Sequence, residues 1–195
     1  MNVVLLADLH GKFPGVLPEH DVLCLAGDIL ASNDIDKMEA WLVSVTDKPI
    51  FWIPGNHDVP LKGWCSRYHR IRCLHGNVIV VDGVKFGGFV WNNCSDSPEM
   101  AGFFAYCTPN MDKLRNEVAR LKPCDVLVSH SPPAGILDTT HDGVSVGIPL
   151  LMEWAKASGC RHVLCGHVHE QGGKVYSDGS ITVVNGACKI MSVKV

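Results

Sequence analysis

Short apolar runs recur along the chain, and each ends in polar or glycine-rich residues. The runs are short and rich in Val, Ile and Leu, which is typical of strands in a largely buried sheet. The predicted strands are Val3–Ala7, Val22–Ala26, Ile50–Ile53, Val78–Val81, Val84–Val90, Val126–Ser129, His162–Cys165, Ile181–Val184 and Met191–Val195. The Asp82-Gly83 pair between two of them favours a two-residue hairpin turn.

Apolar residues at helical spacing occupy three segments between these runs. The predicted helices span residues 35–45, 109–121 and 149–158. Thr108 and Pro109 fit the N-cap and first position of the second helix, and Gly159 stands just beyond the third. Strands alternate with helices in part, and hairpins fill the rest. We therefore expect a single α/β domain over residues 1–195, with two sheets packed between helices.

The composition narrows the class of protein. The 195 residues suit one domain, and 47% hydrophobic with 19% charged residues is typical of a globular protein. The formal net charge is −3 and no long basic run is present. This balance argues against a dedicated nucleic-acid groove, although a nuclease stays possible because a metal site supplies its own positive charge.

Neither a signal peptide nor a membrane segment is visible. The apolar run before Asp8 is too short for a secretion signal, and no stretch approaches the roughly 18–20 apolar residues of a membrane span. The nine cysteines include no CxxC pair and suit a reducing compartment. We expect a cytoplasmic protein with no membrane partner, and the sequence leaves the oligomeric state open.

Metal-ligand residue types cluster at five strand ends, where α/β sheets bind ligands. They are Asp8 and His10, Asp28, Asn56 with His57 and Asp58, His130, and His167 with His169. In an extended chain alternate side chains point the same way, so Asp8 and His10 can grip one cation. The pair His167 and His169 repeats this arrangement.

The donor set indicates a dinuclear site. Imidazole, carboxylate and amide groups together suit Mn, Fe, Zn, Ni or Co better than Ca. Seven such donors exceed the needs of one tetrahedral metal but fit two ions roughly 3.5–4 Å apart that share a bridge. Glycines at positions 27, 55 and 166 permit close backbone approach.

The five motifs "DLH", "GD", "GNHD", "SHSPP" and "GHVH" occur in order between residues 8 and 169. This ordered set resembles the calcineurin-like metallophosphoesterases. The resemblance implies a four-layer α-β-β-α sandwich with a dinuclear site between the sheet ends. It also implies one general acid outside the metals, His57, which faces the leaving-group oxygen. The implied ligands are Asp8, His10 and His169 for one metal, Asn56, His130 and His167 for the other, and Asp28 as the bridge.

Further segments, "SHSPPAGILD", "CGHVHEQGGKV" and "VNGA", resemble the branch that contains the vertebrate fetal-brain metallophosphoesterases. That branch has phosphodiesterase activity, including activity on cyclic nucleotides. We therefore expect a phosphodiesterase for small phosphodiesters, 2′,3′-cyclic nucleotides included, that works by metal-bridged hydroxide attack and favours Mn. One alternative is a phosphomonoesterase or nuclease of the same fold. Another is a non-catalytic metal-binding scaffold, which the complete donor set argues against.

Three details bear on His57. Asp58 follows it, but adjacent residues of an extended chain point apart, so we expect Asp58 to accept backbone N–H groups of the turn. Many members of the family resembled carry a carboxylate at the position of Ala31, for which Asp34 or Asp58 could substitute. Residues 92–108 are expected to shape substrate access, with Phe103, Phe104 or Tyr106 as base-stacking groups. The alternative is a loop that packs its own aromatic rings.

Overall fold

Two mixed β-sheets face each other in the computed structural model, which describes residues 1–30, 35–58, 70–94, 98–102, 104 and 106–195. The strands are β1 (Asn2–Leu6), β2 (Val22–Ala26), β3 (Ile50–Ile53), β4 (Ile71–Cys73), β5 (Val78–Val81), β6 (Val84–Phe89), β7 (Asn92–Asn93), β8 (Cys107–Thr108), β9 (Val126–Ser129), β10 (His162–Cys165), β11 (Val175–Ser177), β12 (Thr182–Asn185) and β13 (Met191–Lys194). The helices are α1 (Ile35–Val45), α2 (Met111–Ala119) and α3 (Leu151–Ser158), with 3₁₀ turns at Pro98–Gly102 and His169–Gln171.

The first sheet has the order β13-β1-β2-β3-β4 and the second has the order β11-β12-β10-β9-β6-β5. Strands β1 to β4 run parallel, as do β6, β9, β10 and β12, while β13, β5 and β11 add antiparallel edges. Parallel strands end at the same edge of a sheet, so the loops after β1, β2 and β3 meet, as do those after β9 and β10.

Alternation along the strands produces the layers. In β1, Val3 and Leu5 belong to the cluster between the two sheets, whereas Val4 and Leu6 pack with α1. Helices α2 and α3 pack on the outer face of the second sheet. The order is therefore helix, sheet, sheet, helices, which confirms the predicted four-layer sandwich.

Most predicted elements are confirmed to within one or two residues at each end, including the hairpin at Asp82-Gly83, where Val81 pairs with Val84. The predicted N-cap of α2 is wrong. Asn110 caps this helix, because its side-chain oxygen accepts the Lys113 N–H at 2.9 Å. Thr108 instead lies in β8, where its carbonyl accepts the Cys94 N–H at 3.3 Å. No helix within the described ranges has both the length and the apolar character needed to cross a membrane.

Candidate metal centre

The seven predicted donors lie together where the carboxyl ends of both sheets meet. One group joins Asp8, His10 and His169, whose ligand atoms all lie within 4.8 Å of one another. A second joins Asp8, Asp28 and His130 by the same measure. The remaining two donors, Asn56 and His167, approach His130. The packing of the sheets thus brings Asp8 and His169 together, although they are 161 positions apart in the sequence.

In the first group Asp8 is the buried member. Its Oδ1 lies 3.3 Å from His169 Nε2, and its Oδ2 accepts the His167 N–H at 2.8 Å. The His10 and His169 rings lie 5.4 Å apart, measured between centroids. The side chain of His169 is 50% exposed whereas that of Asp8 is 1% exposed, so this group opens to solvent on the histidine side.

The backbone of the ligand loops is not extended, and the expectation of an extended Asp8-Leu9-His10 is wrong. Asp8 has φ 54° and His10 has φ 45°, in the left-handed region that non-glycine residues avoid at a cost of about 1–2 kcal/mol each. Hydrogen bonds from Asp8 N to Gly27 O and from His10 N to Asp28 O, both 3.0 Å, hold this conformation. Contacts between loops therefore impose the turn.

The two histidines of "GHVH" diverge. His167 also has a left-handed backbone, with φ 68°, and its Nδ1 lies 3.2 Å from His130 Nε2. His169 instead approaches Asp8. Spacing had suggested that both rings grip one cation, but the structure places the two rings beside different partners. Which ion each ring would hold stays a prediction of the family resemblance.

His130 carries the clearest sign of a metal site. This fully buried ring has Nδ1 2.7 Å from Ala26 O, and because a carbonyl only accepts, Nδ1 bears the hydrogen of the neutral ring. The lone pair is then on Nε2, which lies 3.0 Å from Asn56 Oδ1 and 3.4 Å from Asp28 Oδ2. Acceptor atoms that converge with a histidine oriented by a backbone carbonyl are typical of a divalent-cation site, so the donor set fits one.

The electrostatics point the same way. Burial lowers the pKa of His130, but the Asp28 and Asp8 carboxylates outweigh it and raise this pKa to about 10. Burial raises the pKa of Asp28, yet the net effect of His130 and His57 is to hold it well below its usual range. The pocket therefore stabilises a positive charge among its carboxylates. A bound cation would supply that charge and leave His130 neutral as a ligand.

Asp58 fixes the loop geometry, as predicted. Its Oδ2 accepts the N–H groups of Asp28 at 2.7 Å and Gly55 at 2.9 Å. Its Oδ1 accepts those of Ile29 and Leu30, each at 3.2 Å. One buried carboxylate thus ties the loop after β2 to the loop after β3 and fixes the backbone at Asp28.

His57 lies beside the two donor groups but outside them. Its backbone N–H donates to Asp28 Oδ1 at 2.8 Å, and its ring Nε2 lies 4.0 Å from Asp28 Oδ2. The side chain is 46% exposed. His57 therefore lies at the solvent-facing side of the candidate site.

A sequence model of the family described as "Calcineurin-like phosphoesterase" matches residues 1–171, which include every one of these donors. The chain belongs to the calcineurin-like phosphoesterase family. Members of this family are metal-dependent phosphoesterases.

Several known proteins are similar to most of the chain in sequence or in structure. "UPF0046 protein K07C11.7" of Caenorhabditis elegans is 27% identical over 217 residues, which cover 96% of this chain and 69% of that protein. Phosphopantetheinyl hydrolase of Mycobacterium tuberculosis superposes with a TM-score of 0.61 at 14% identity and covers 93% of this chain and 87% of the hydrolase. A putative 5′-nucleotidase of Staphylococcus aureus gives 0.55 at 14% identity, covering 94% of this chain and 48% of its own. These structural matches support the fold alone.

Sequence reasoning missed one supporting residue of this calcineurin-like phosphoesterase. Asn185 is fully buried at the end of β12, and its amide donates to Gly166 O at 3.1 Å and to Val168 O at 3.3 Å. It therefore anchors the loop that carries His167. The signal in the sequence was the Asn185-Gly186 pair of the "VNGA" segment. That segment had contributed only to the family resemblance.

The aromatic residues of the 92–108 segment separate. Tyr106 lies 6.1 Å from Trp91, measured between ring centroids, and packs against the cluster between the sheets. Phe104 lies beside His57, with ring centroids 4.5 Å apart. Phe103, Ala31 and Asp34 lie outside the described residues.

Proposed function

We propose that this calcineurin-like phosphoesterase is a dinuclear metal-dependent phosphodiesterase. It hydrolyses small phosphodiesters, and its proposed substrates include cyclic nucleotides and their 2′,3′-cyclic forms. The observation that carries the proposal is the convergence on His130 Nε2 of Asn56 Oδ1, His167 Nδ1 and Asp28 Oδ2. Beside it lies the group of Asp8, His10 and His169, which shares Asp8 with the group around His130. Two adjoining donor groups provide for two ions.

Each donor then has an assignment. Asp8, His10 and His169 would hold one ion, and Asn56, His130 and His167 would hold the other. Asp28 would bridge them, as the family resemblance implies, and its ligand atom lies within 4.8 Å of those of Asp8 and His130. When bound, divalent ions in such a site lower the pKa of water to supply a nucleophile near neutral pH and neutralise charge on phosphoryl oxygens. Mn is the favoured metal, with Fe, Zn, Ni or Co as alternatives.

The chain's own contribution to bond cleavage is His57. Its ring is 46% exposed beside the donor groups, and in this proposal it donates a proton to the leaving-group oxygen. An alkoxide is a poor leaving group, so diesters of aliphatic alcohols depend on this proton more than activated aryl esters do. The formal net charge of −3 favours a small substrate over a nucleic-acid partner, and we further propose a cytoplasmic location.

The test is an assay of metal-free protein reconstituted with Mn²⁺. The substrates are bis-p-nitrophenyl phosphate, p-nitrophenyl phosphate, and 2′,3′- and 3′,5′-cyclic nucleotides. We expect hydrolysis of diesters, and His57→Ala should retain bound metal while losing most of kcat on cyclic nucleotides and less on aryl esters. His162→Ala is the matched control, because His162 lies at the start of β10 and the predicted donors follow the end of that strand.

Three outcomes would contradict the proposal in different ways. Hydrolysis of the monoester alone would identify a phosphomonoesterase. Absence of hydrolysis with any divalent metal would favour a binding scaffold. Undiminished cyclic-nucleotide hydrolysis by His57→Ala would remove the general-acid role while leaving the metal assignment in place.

A further inference from the structure

The ring of His57 packs against the ring of Phe104. The centroids lie 4.5 Å apart with an interplanar angle of 64°, an edge-on arrangement that aromatic pairs favour. A second ring, that of His10, meets His57 edge-on at 5.4 Å. The candidate general acid thus has aromatic neighbours on its ring.

No hydrogen bond holds the His57 ring among the residues that the structure describes. Its approach to a carboxylate there, Nε2 to Asp28 Oδ2, is 4.0 Å, which is too long for a hydrogen bond. Asp28 is moreover assigned to the metals, and Asp58 is occupied by four backbone N–H groups. A side chain that is 46% exposed and lacks such an anchor would rotate freely without packing.

We propose that Phe104 is a positioning residue for His57: its ring blocks rotation of the imidazole and keeps the proton-bearing nitrogen directed toward the leaving-group oxygen. This role rests on the proposed function of His57. A carboxylate hydrogen bond commonly orients a catalytic histidine, and here packing against Phe104 would orient the ring instead. Loss of the ring contact lowers the fraction of time that His57 points correctly, and this reduces kcat without weakening ground-state binding.

The competing role for Phe104 is direct stacking on the base of a nucleotide substrate. The two roles predict different kinetics, because stacking contributes to binding of aromatic groups and positioning acts on any substrate that needs a proton. Stacking should therefore change KM for substrates that carry a base, whereas positioning should change kcat even when no base is present.

The first measurement needs no activity. Carbon-13-labelled histidine in the metal-free protein gives ring ¹H–¹³C correlations, and the His57 signal is identified by its absence in His57→Ala. In Phe104→Leu, which keeps an apolar side chain, we expect the His57 ring signal to move far more than that of His162, as the aromatic ring current is lost. The matched control is Phe13→Leu, because Phe13 stacks on Trp41 at 4.8 Å and belongs to the packing around α1. If the His57 ring signal moves equally little in Phe104→Leu and in Phe13→Leu, the contact between His57 and Phe104 is wrong.

The second measurement compares substrates on the metal-loaded enzyme. On glycerol 1,2-cyclic phosphate, which has an alkoxide leaving group and no base, Phe104→Leu should lower kcat about threefold to tenfold with KM within about twofold. Bis-p-nitrophenyl phosphate should be affected less. Unchanged kcat on the glycerol ester together with a raised KM for 2′,3′-cyclic nucleotides would replace positioning by stacking.

The two hypotheses fail separately. If His57→Ala leaves hydrolysis of the glycerol ester intact while the His57 signal still moves in Phe104→Leu, the acid role is wrong although the packing is real. If His57→Ala is impaired on that ester but Phe104→Leu is not, the acid role stands and Phe104 does not position it.

Discussion

At the scale of single residues, Asp58 shows how one side chain sets the site. Its two oxygens accept the N–H groups of Asp28, Ile29, Leu30 and Gly55. An asparagine at this position offers one oxygen and turns an NH₂ group toward backbone donors. Asp58→Asn should therefore leave buried N–H groups unpaired and lower the free energy of unfolding by about 2–4 kcal/mol, measured by urea denaturation of the metal-free protein.

The control for this substitution is Asp47→Asn. The Asp47 side chain is 88% exposed and approaches Lys48 at 3.7 Å, so its replacement should change the free energy of unfolding by less than about 0.5 kcal/mol. Equal effects of the two substitutions would show that the Asp58 hydrogen bonds do not hold the two loops together.

The residue scale also shows where sequence reasoning stops. The role of Asp58 followed from turn chemistry, which is local. The left-handed backbone of Asp8 did not follow, because nothing in "DLH" favours φ 54°. The bond from Asp8 N to Gly27 O lies across 19 positions of the chain, and only the paired strands β1 and β2 create it.

At the scale of elements, the long buried strands were predictable and the short ones were not. Strands β2, β3 and β9 are buried at every position, and all their residues are apolar except Ser129 at the end of β9. By contrast β11, Val175–Ser177, is exposed throughout and exists because it pairs with β12. Such a strand depends on its partner's register, which three residues of sequence do not specify.

The turn between β11 and β12 is closed by Asp178. Its Oδ1 accepts the Ser180 N–H at 3.0 Å and the Ile181 N–H at 2.9 Å, while Oδ2 lies 2.9 Å from Lys156 Nζ on α3. The Lys156 ammonium and these N–H groups hold the pKa of Asp178 well below its usual range. Since the folded-state pKa is the lower one, the stabilisation is present above the ordinary Asp pKa of about 3.9 and is lost as the pH falls below it.

Asp178→Asn should accordingly lower the urea midpoint at pH 7, and the difference from the unmodified protein should narrow as the pH is lowered from about 4 to 2. Asp142→Asn is the control, because its side chain is 86% exposed and approaches only His141 at 3.3 Å among the described residues. A difference for Asp178→Asn that stays constant across this pH range would show that the charge of the carboxylate plays no part.

At the scale of the whole molecule, the site is a product of sheet packing. The first sheet supplies Asp8, His10, Asp28 and Asn56, and the second supplies the remaining donors from the ends of β9 and β10. Sequence reasoning identified these residues by their order along the chain. Spacing alone could not divide them between two ions, and only the family resemblance implied a division. Which imidazole meets which carboxylate depends on how the two sheets face each other.

The same packing buries three carboxylates within one region, Asp8, Asp28 and Asp58, each at most 2% exposed. Their mutual repulsion opposes folding unless positive charge is present, so metal binding and stability should be linked. We expect Mn²⁺ at about 100 times its dissociation constant to raise the free energy of unfolding by about 2.7 kcal/mol for each site, and chelation to reverse the increase.

Asp28 is the residue on which this linkage should depend most, because the proposed function assigns it as the bridge between the two ions. Asp28→Asn keeps a side-chain oxygen that can accept the His57 N–H but removes the bridging charge. Without metal its free energy of unfolding should change by less than about 1 kcal/mol, since lost repulsion offsets the lost attraction to His130. With Mn²⁺ it should gain less than half of the increment seen for the unmodified protein, and His162→Ala should gain all of it. If Mn²⁺ stabilises Asp28→Asn as much as the unmodified protein, the stabilisation by metal does not depend on the Asp28 carboxylate. Asp8 and the histidines would then suffice to hold the ions.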